Sequence, residues 1–294
     1  MARFRTACFV VFVLSSLFWA VVCFTDRAKA GSDEGSAKKY EVEKVKDIAY
    51  YDGDDADQKR HRLDLYLPKD KKDFPVVIFV HGGAWTIGSK DVPWHAGVAE
   101  FFASHGIGAV SINYRLSPAV KHPEHIKDVA RAFAWTKKNI KKYGGRPEEI
   151  FVAGHSAGGH LTALLATDES YLKAEGCSLK DIKGAIPVSG VYDIPPKMFS
   201  SVFGDDMDEI RKASPVNRVV EGLPPYLIIY GDKDFPGCEK MSENFCKALK
   251  DKKDVAETLK IDGRDHLSIL FRCSKEGDPC GKAMLDFIKE HTKN

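Results

Sequence analysis

Three residue types that together can activate a hydroxyl stand far apart in this chain, each placed just past an apolar run. Ser156 lies in Gly154-His155-Ser156-Ala157-Gly158-Gly159, between a β-forming run at 149–153 and a leucine- and alanine-rich stretch at 160–167 spaced for one buried helical face. A turn that tight between strand and helix excludes side chains at its neighbours, hence the flanking glycines, and lifts the serine oxygen clear at a helix N-terminus. A serine hydroxyl is a poor nucleophile at neutral pH and needs an imidazole base held by a carboxylate. His266, in Gly263-Arg264-Asp265-His266, follows the last apolar run and is the histidine in the right place for that base. Asp234, in Gly231-Asp232-Lys233-Asp234, follows the run at 226–230 and best fits the acid, because the residue must leave its strand before turning toward the histidine. Asp232 and Asp193 stay open as alternatives, Asp232 being better placed to tighten the turn.

A developing negative charge on a carbonyl oxygen needs waiting donors. His81-Gly82-Gly83-Ala84-Trp85 follows the apolar run at 76–80, and its paired glycines allow backbone N–H groups to approach a ligand oxygen closely. Gly82 and Gly83 are thus the expected oxyanion donors on one side, with the amide of Ala157 on the other. Trp85 either lines the acyl pocket as a substrate-binding residue or packs beneath the loop.

These residues must be carried by an α/β framework. Apolar runs at 76–80, 107–113, 150–153, 185–189, 226–230 and 257–261 alternate with helical stretches near 97–105, 124–143 and 280–291. Continuous apolar strands separated by helices imply a mostly parallel sheet covered on both faces. Pro187 falls inside one run and argues against a regular strand there. Upstream, 40–51 and 61–67 read as half-exposed antiparallel strands joined by the acidic turn 52–57. Residues 168–181 and 195–218 read as irregular insertions on the side of the serine turn, forming a small cap or wall.

The chain has 294 residues and a formal net charge of +2. The first 30 residues carry Arg3, Arg5, Arg27 and Lys29 against Asp26, so the rest is close to neutral and offers no nucleic-acid surface. Residues 1–30 read as a signal peptide: a basic start, an apolar run at 7–24 and small residues at Ala28-Lys29-Ala30. The alternative is an uncleaved anchor with an extracytoplasmic domain. Either way the expected location is secreted or periplasmic, with no membrane span in the mature chain. Residues 31–40 read as a linker and 41–294 as the catalytic domain. Beyond the signal stand Cys177, Cys238, Cys246, Cys273 and Cys280, an odd set. Cys273 and Cys280 bracket a turn and are the candidate pair, whereas Cys238 and Cys246 lie too far apart along one helix to bond. Neither Cys-x-x-Cys nor His-Glu-x-x-His occurs, so no metal is expected, and acyl transfer by such a triad needs no cofactor.

With these residues in place the chain resembles the α/β-hydrolase-fold serine esterases, in the hormone-sensitive-lipase-like and bacterial feruloyl- and acetyl-esterase-like branch. The resemblance covers nearly the whole domain. It rests on His81-Gly82-Gly83-Ala84-Trp85, Asn113-Tyr114-Arg115-Leu116, the turn around Ser156, Gly190-Val191-Tyr192-Asp193-Ile194, the Asp234 loop and Asp265-His266. The family's chain order of nucleophile, acid and base is kept. It implies Ser156 as nucleophile, Asp234 as acid, His266 as base, and Gly82, Gly83 and Ala157 as oxyanion donors. Ala84 stands where the lipase-like branch carries a third glycine, which draws the likeness toward feruloyl-esterase-like and kynurenine-formamidase-like members. The expected activity is hydrolysis of short-chain acyl or aryl esters, small molecules or esters on plant polysaccharides. An arylformamidase or amidase, or a non-catalytic binding protein on the same fold, are the alternatives.

Overall fold

Alternation of side chains along a strand sends neighbouring residues to opposite faces, so a strand buried throughout must be covered twice. Phe74–Val80 is such a strand: Val76, Ile78 and Val80 join one apolar cluster, Val77 and Phe79 the other. A computed structural model describes residues 39–292 and orders the elements as β1 (Val42–Ala49), β2 (Arg62–Pro68), β3 (Phe74–Val80), α1 (Pro93–Ser104), β4 (Gly108–Ile112), α2 (Glu124–Asn139), β5 (Gly145–His155), α3 (Ala157–Leu165), α4 (Glu169–Ala174), β6 (Ile182–Val188), α5 (Ser200–Phe203), α6 (Met207–Ala213), β7 (Tyr226–Lys233), α7 (Cys238–Asp251), β8 (Ala256–Asp265), α8 (Ser268–Cys273) and α9 (Pro279–His291). The expected signal peptide and most of the linker lie outside the described residues. Among the described residues, no helix is long and apolar enough to cross a membrane.

The strands form one sheet in the order β1-β2-β4-β3-β5-β6-β7-β8, parallel from β4 to β8 and antiparallel at β1 and β2. Helices α2, α3 and α7 cover one face, and α1, α8 and α9 the other. The chain steps outward from β3 to β4 and then returns to β5 on the far side of β3. That reversal leaves the ends of β3 and β5 side by side, Val80 opposite Gly154. Ligands bind at such switch points because two loops diverge there and leave a crevice. The loops after β3 and β5 carry Gly82 and Ser156.

Three local expectations are corrected. β2 is buried along nearly its whole length, not half-exposed, because β1 and β4 flank it and helices cover it. Pro187 does sit in a strand. Ala185 and Ser189 donate their amides to Pro225 and Ile229, so the residue between them faces β7, and the ladder there opens where proline has no N–H to give. Residues 168–181 do not approach the serine turn. Helix α3 carries the chain to its far end, where the segment pairs with α2 through Arg131–Glu175 and Lys137–Asp181. The segment 195–218, which holds α5 and α6, reaches the glycine loop through Phe199 and Phe203 against Trp85, and its Arg218 pairs with Asp168.

All five cysteines past the N-terminal segment are buried free thiols. Cys273 and Cys280 are therefore not the expected pair: the Cys273 thiol turns back into its own helix and donates to the Leu270 carbonyl at 3.0 Å.

Candidate active site

Ser156 sits between β5 and α3 with φ 57° and ψ −119°, a backbone region that L-residues avoid. Such a residue stores on the order of 1–3 kcal/mol and persists only where its surroundings over-determine it. The surroundings do so by close approach. A Cβ on Gly158 would lie 2.0 Å from the Val80 carbonyl oxygen, so α3 can begin against β3 only with glycine there. A Cβ on Gly82 would lie 2.9 Å from the His155 carbonyl oxygen and 3.2 Å from the Ser156 Cβ. The glycine loop thus abuts the serine.

The structure brings Ser156, His266 and Asp234 together across 110 residues of chain. His266 Nε2 lies 2.9 Å from Ser156 Oγ, and Nδ1 lies 2.7 Å from Asp234 Oδ1. The Asp234 side chain is 2% exposed and that of His266 29% exposed, so the carboxylate is sealed and the imidazole is partly open. Burial alone would raise the Asp234 pKa. Hydrogen bonds from His266, the Ser189 hydroxyl and the Phe235 amide outweigh it and bring the carboxyl down to about 2. An ionised Asp234 requires a proton on Nδ1, which leaves the Nε2 lone pair aimed at the serine hydroxyl. Of the two alternative acids, Asp232 is exposed and accepts the Arg264 amide at 2.9 Å, tightening the turn. Asp193 is exposed, and the imidazole is bonded to Asp234.

Past β3 the backbone turns through positive φ at Gly83 (119°), Ala84 (49°) and Trp85 (59°). The Gly83 carbonyl accepts the amides of Thr86 and Ile87 at 3.0 Å each, closing the loop on itself. The amides of Gly82, Gly83 and Ala157 take no part in the turn hydrogen bonds of the described residues. Of the two roles open to Trp85, the geometry is that of packing: it is 1% exposed and meets Phe199 and Phe203 edge-on at about 5 Å. The Asn113-Tyr114-Arg115-Leu116 stretch supports this loop from behind. Tyr114 stacks on His81 with ring centroids 4.4 Å apart, and its hydroxyl donates to the His81 carbonyl at 3.1 Å.

Several supporting residues carried no signal in the sequence. Ser189 was a strand end, yet its hydroxyl donates to Asp234. His155 donates from Nε2 to the His266 carbonyl at 2.7 Å, tying the serine turn to the histidine loop. Its burial lowers the imidazole pKa to about 3, so it stays neutral. Asp47, Asp64 and Asp91 converge as a metal site would, but the buried Lys90 ammonium stands among them at 2.8 to 2.9 Å and supplies the positive charge. The serine, histidine, acid and glycine loop are signalled by their places just past apolar runs, whereas Ser189 and His155 are linked to them by the order of the strands alone.

Comparison with known proteins gives the same framework. The BD-FAE family model matches residues 63–249. Esterase LipC of Mycobacterium tuberculosis (strain ATCC 25618 / H37Rv) is 35% identical over 219 residues, covering 67% of this chain and 53% of that protein. Isoprenylcysteine alpha-carbonyl methylesterase ICME of Arabidopsis thaliana is 30% identical over 241 residues, covering 74% and 56%. The chain therefore spans about half the length of the curated relatives it matches. Among solved structures, a truncated form of a carbohydrate esterase from gut microbiota superposes with a TM-score of 0.75 at 23% identity, covering 86% of this chain and 97% of that one. Esterase B from Lactobacillus rhamnosis gives 0.71 at 21% identity, covering 85% of each. With a family model matched across most of its length and this sheet order, the chain belongs to the BD-FAE family and has the α/β-hydrolase fold of esterases.

Proposed function

We propose that the chain is a serine carboxylic-ester hydrolase acting through Ser156, His266 and Asp234. The observation that carries this reading is the unbroken Asp234–His266–Ser156 hydrogen-bonded line ending on a strained turn beside Gly82. Ser156 Oγ attacks the ester carbonyl carbon while its proton passes to His266 Nε2. The carbonyl oxygen becomes an oxyanion held by the amides of Gly82, Gly83 and Ala157, and Asp234 stabilises the imidazolium. Collapse breaks the bond to the alcohol oxygen, which takes the proton from Nε2. Water then attacks the acyl-enzyme with His266 as base, releasing the carboxylic acid and restoring the serine.

Small acyl groups suit this site. Trp85 packs edge-on against Phe199 and Phe203 of the segment 195–218, and we take this filled space beside the glycine loop to favour a small acyl group. The similarity to a methylesterase supports a carboxylic ester as substrate, and we extend this to short-chain acyl or aryl esters, small molecules or groups on plant polysaccharides. The basic, apolar and Ala28-Lys29-Ala30 sequence of the N-terminus supports action outside the cytoplasm. The test is to react the protein with a p-nitrophenyl phosphonate and map the adduct. Initial rates on acetyl, butyryl, octanoyl and feruloyl esters and on acetylated xylan are then compared. An adduct on Ser156 with acetyl or butyryl esters fastest is expected; no adduct and no turnover on any of them overturns the reading.

A further inference from the structure

The glycine loop is held in its left-handed path by something outside itself. The indole N–H of Trp85 donates to His160 Nδ1 at 3.2 Å, and His160 Nε2–H donates to the Ala213 carbonyl at 2.8 Å. Both ring nitrogens are committed, which fixes one neutral tautomer. Burial lowers the His160 pKa to about 3, so the nitrogen that accepts from Trp85 stays free of a proton at neutral pH. His160 stands one turn into α3, its own amide donating to the Ser156 carbonyl at 2.9 Å. It meets the nucleophile's helix, the glycine loop and the end of α6 at once. The Trp85 carbonyl accepts the Ser117 amide at 2.9 Å, pinning the other side of the indole's residue.

We infer that His160 is a positioning residue for the oxyanion loop, acting through Trp85, and that its bond to Ala213 makes the loop's geometry depend on the seating of residues 195–218. The inference rests on the esterase reading. Oxyanion donors act only in the transition state and need placement within tenths of an ångström, so a loosened loop lowers kcat and leaves KM nearly unchanged.

The test compares Trp85→Phe, which keeps a ring and removes the N–H, with His160→Phe, which keeps ring volume and removes both hydrogen bonds. Rates on p-nitrophenyl acetate are expressed per site titrated with phosphonate, so that unfolded protein drops out. Each variant is expected to lower kcat about 10- to 100-fold with KM within about twofold. The double variant should cost no more than the worse single one, since both break one line of contacts. The inhibition constant of a trifluoromethyl ketone, which forms an oxyanion on the enzyme, should rise in step with the fall in kcat/KM. His160→Gln, which retains a donor and an acceptor, should recover part of the loss. A purely structural role would lower the unfolding temperature and leave kcat per titrated site and the ketone constant unchanged; that result in Trp85→Phe overturns the inference even if His160→Phe fails to fold. Absence of turnover in the unmodified protein would instead strike at the esterase reading itself.

Discussion

Among the described residues, two aspartate–histidine pairs lie within hydrogen-bond reach, and they differ in burial and in what the far nitrogen of the imidazole meets. Asp128 and His61 lie 2.9 Å apart and are 0% and 1% exposed; Asp234 and His266 lie 2.7 Å apart and are 2% and 29% exposed. The far nitrogen makes the difference. His61 Nδ1 accepts the Asp57 amide at 2.8 Å, so its lone pair is spent on the turn at 52–57. Nε2 of His266 faces a hydroxyl on a strained turn open to solvent. The carboxylates differ too. Asp128 also receives the Arg115 guanidinium at 2.8 and 2.9 Å and Arg131 at 3.1 Å, an ion cluster that clamps β2, α2 and the stretch after β4. Asp234 receives only neutral donors besides the histidine. A carboxylate shared among cations builds structure; one reserved for an imidazole tunes a proton acceptor.

The largest effect should separate the pairs outright. Ser156→Ala and His266→Ala are each expected to lower kcat by at least about 10⁴-fold with the unfolding temperature nearly unchanged. His61→Ala should do the reverse, lowering the unfolding temperature while kcat per titrated site moves within about threefold. Next come the acids. Asp234→Asn should cost on the order of 10³- to 10⁴-fold in kcat through the wrong tautomer. Asp128→Asn should cost about 3–5 kcal/mol of stability by leaving Arg115 underpaired, with kcat per site retained. Should Asp232→Asn, and not Asp234→Asn, abolish turnover, the acid has been misassigned.

Acid titration sharpens the contrast in a second currency. Both carboxyls are depressed on folding, Asp234 to about 2 and Asp128 below the ordinary range despite burial, because hydrogen bonds from His61 and Arg115 favour its charged form. A folded pKa below the unfolded one of about 3.9 means a contribution to stability complete above that pH and lost as pH falls toward the folded value. Unfolding free energy measured by denaturant titration should therefore fall between about pH 4 and pH 2. That fall should flatten in Asp234→Asn, whose carboxyl is held near 2, and also in Asp128→Asn, whose carboxyl is likewise lowered. An unchanged slope in Asp128→Asn would show that the cluster does not hold its charge as the geometry indicates.

The serine turn, the glycine loop and the histidine after the last strand were legible because their constraints are local: glycines where a side chain would collide, polar residues just past apolar runs. The alternating runs likewise announced a parallel sheet between helices. What stayed hidden was anything set by which strands are neighbours. Ser189 could not be linked to Asp234, nor His155 to the His266 carbonyl, until β5 through β8 were seen to lie in order. Pro187 argued against a strand on propensity, and tertiary context overrode it by leaving one ladder rung open. The insertion at 168–181 was misplaced because the sequence does not state which end of the sheet a loop returns to. Trp85 read as either pocket or core; its indole partner, His160, lies 75 residues away.

The smallest effect tests how finely the working pair is poised. The Ser189 hydroxyl donates to Asp234 Oδ2, which also accepts the Gly231 amide at a long 3.3 Å. Ser189→Ala removes a charge-assisted hydrogen bond without touching His266. Asp234 should then titrate above its present value near 2 and hold the imidazole less firmly. About 1 kcal/mol of that loss should appear in the barrier, a fall of roughly fivefold in kcat. The matched change at the other pair is Arg131→Ala, which removes one of several donors to Asp128 and should leave kcat untouched. A fall in Ser189→Ala as large as that of Asp234→Asn would mean that the serine, rather than the bond to His266, keeps the acid in place. No fall at all would mean that the imidazole alone suffices to orient the carboxylate, and that the two pairs differ only in what lies beyond the ring.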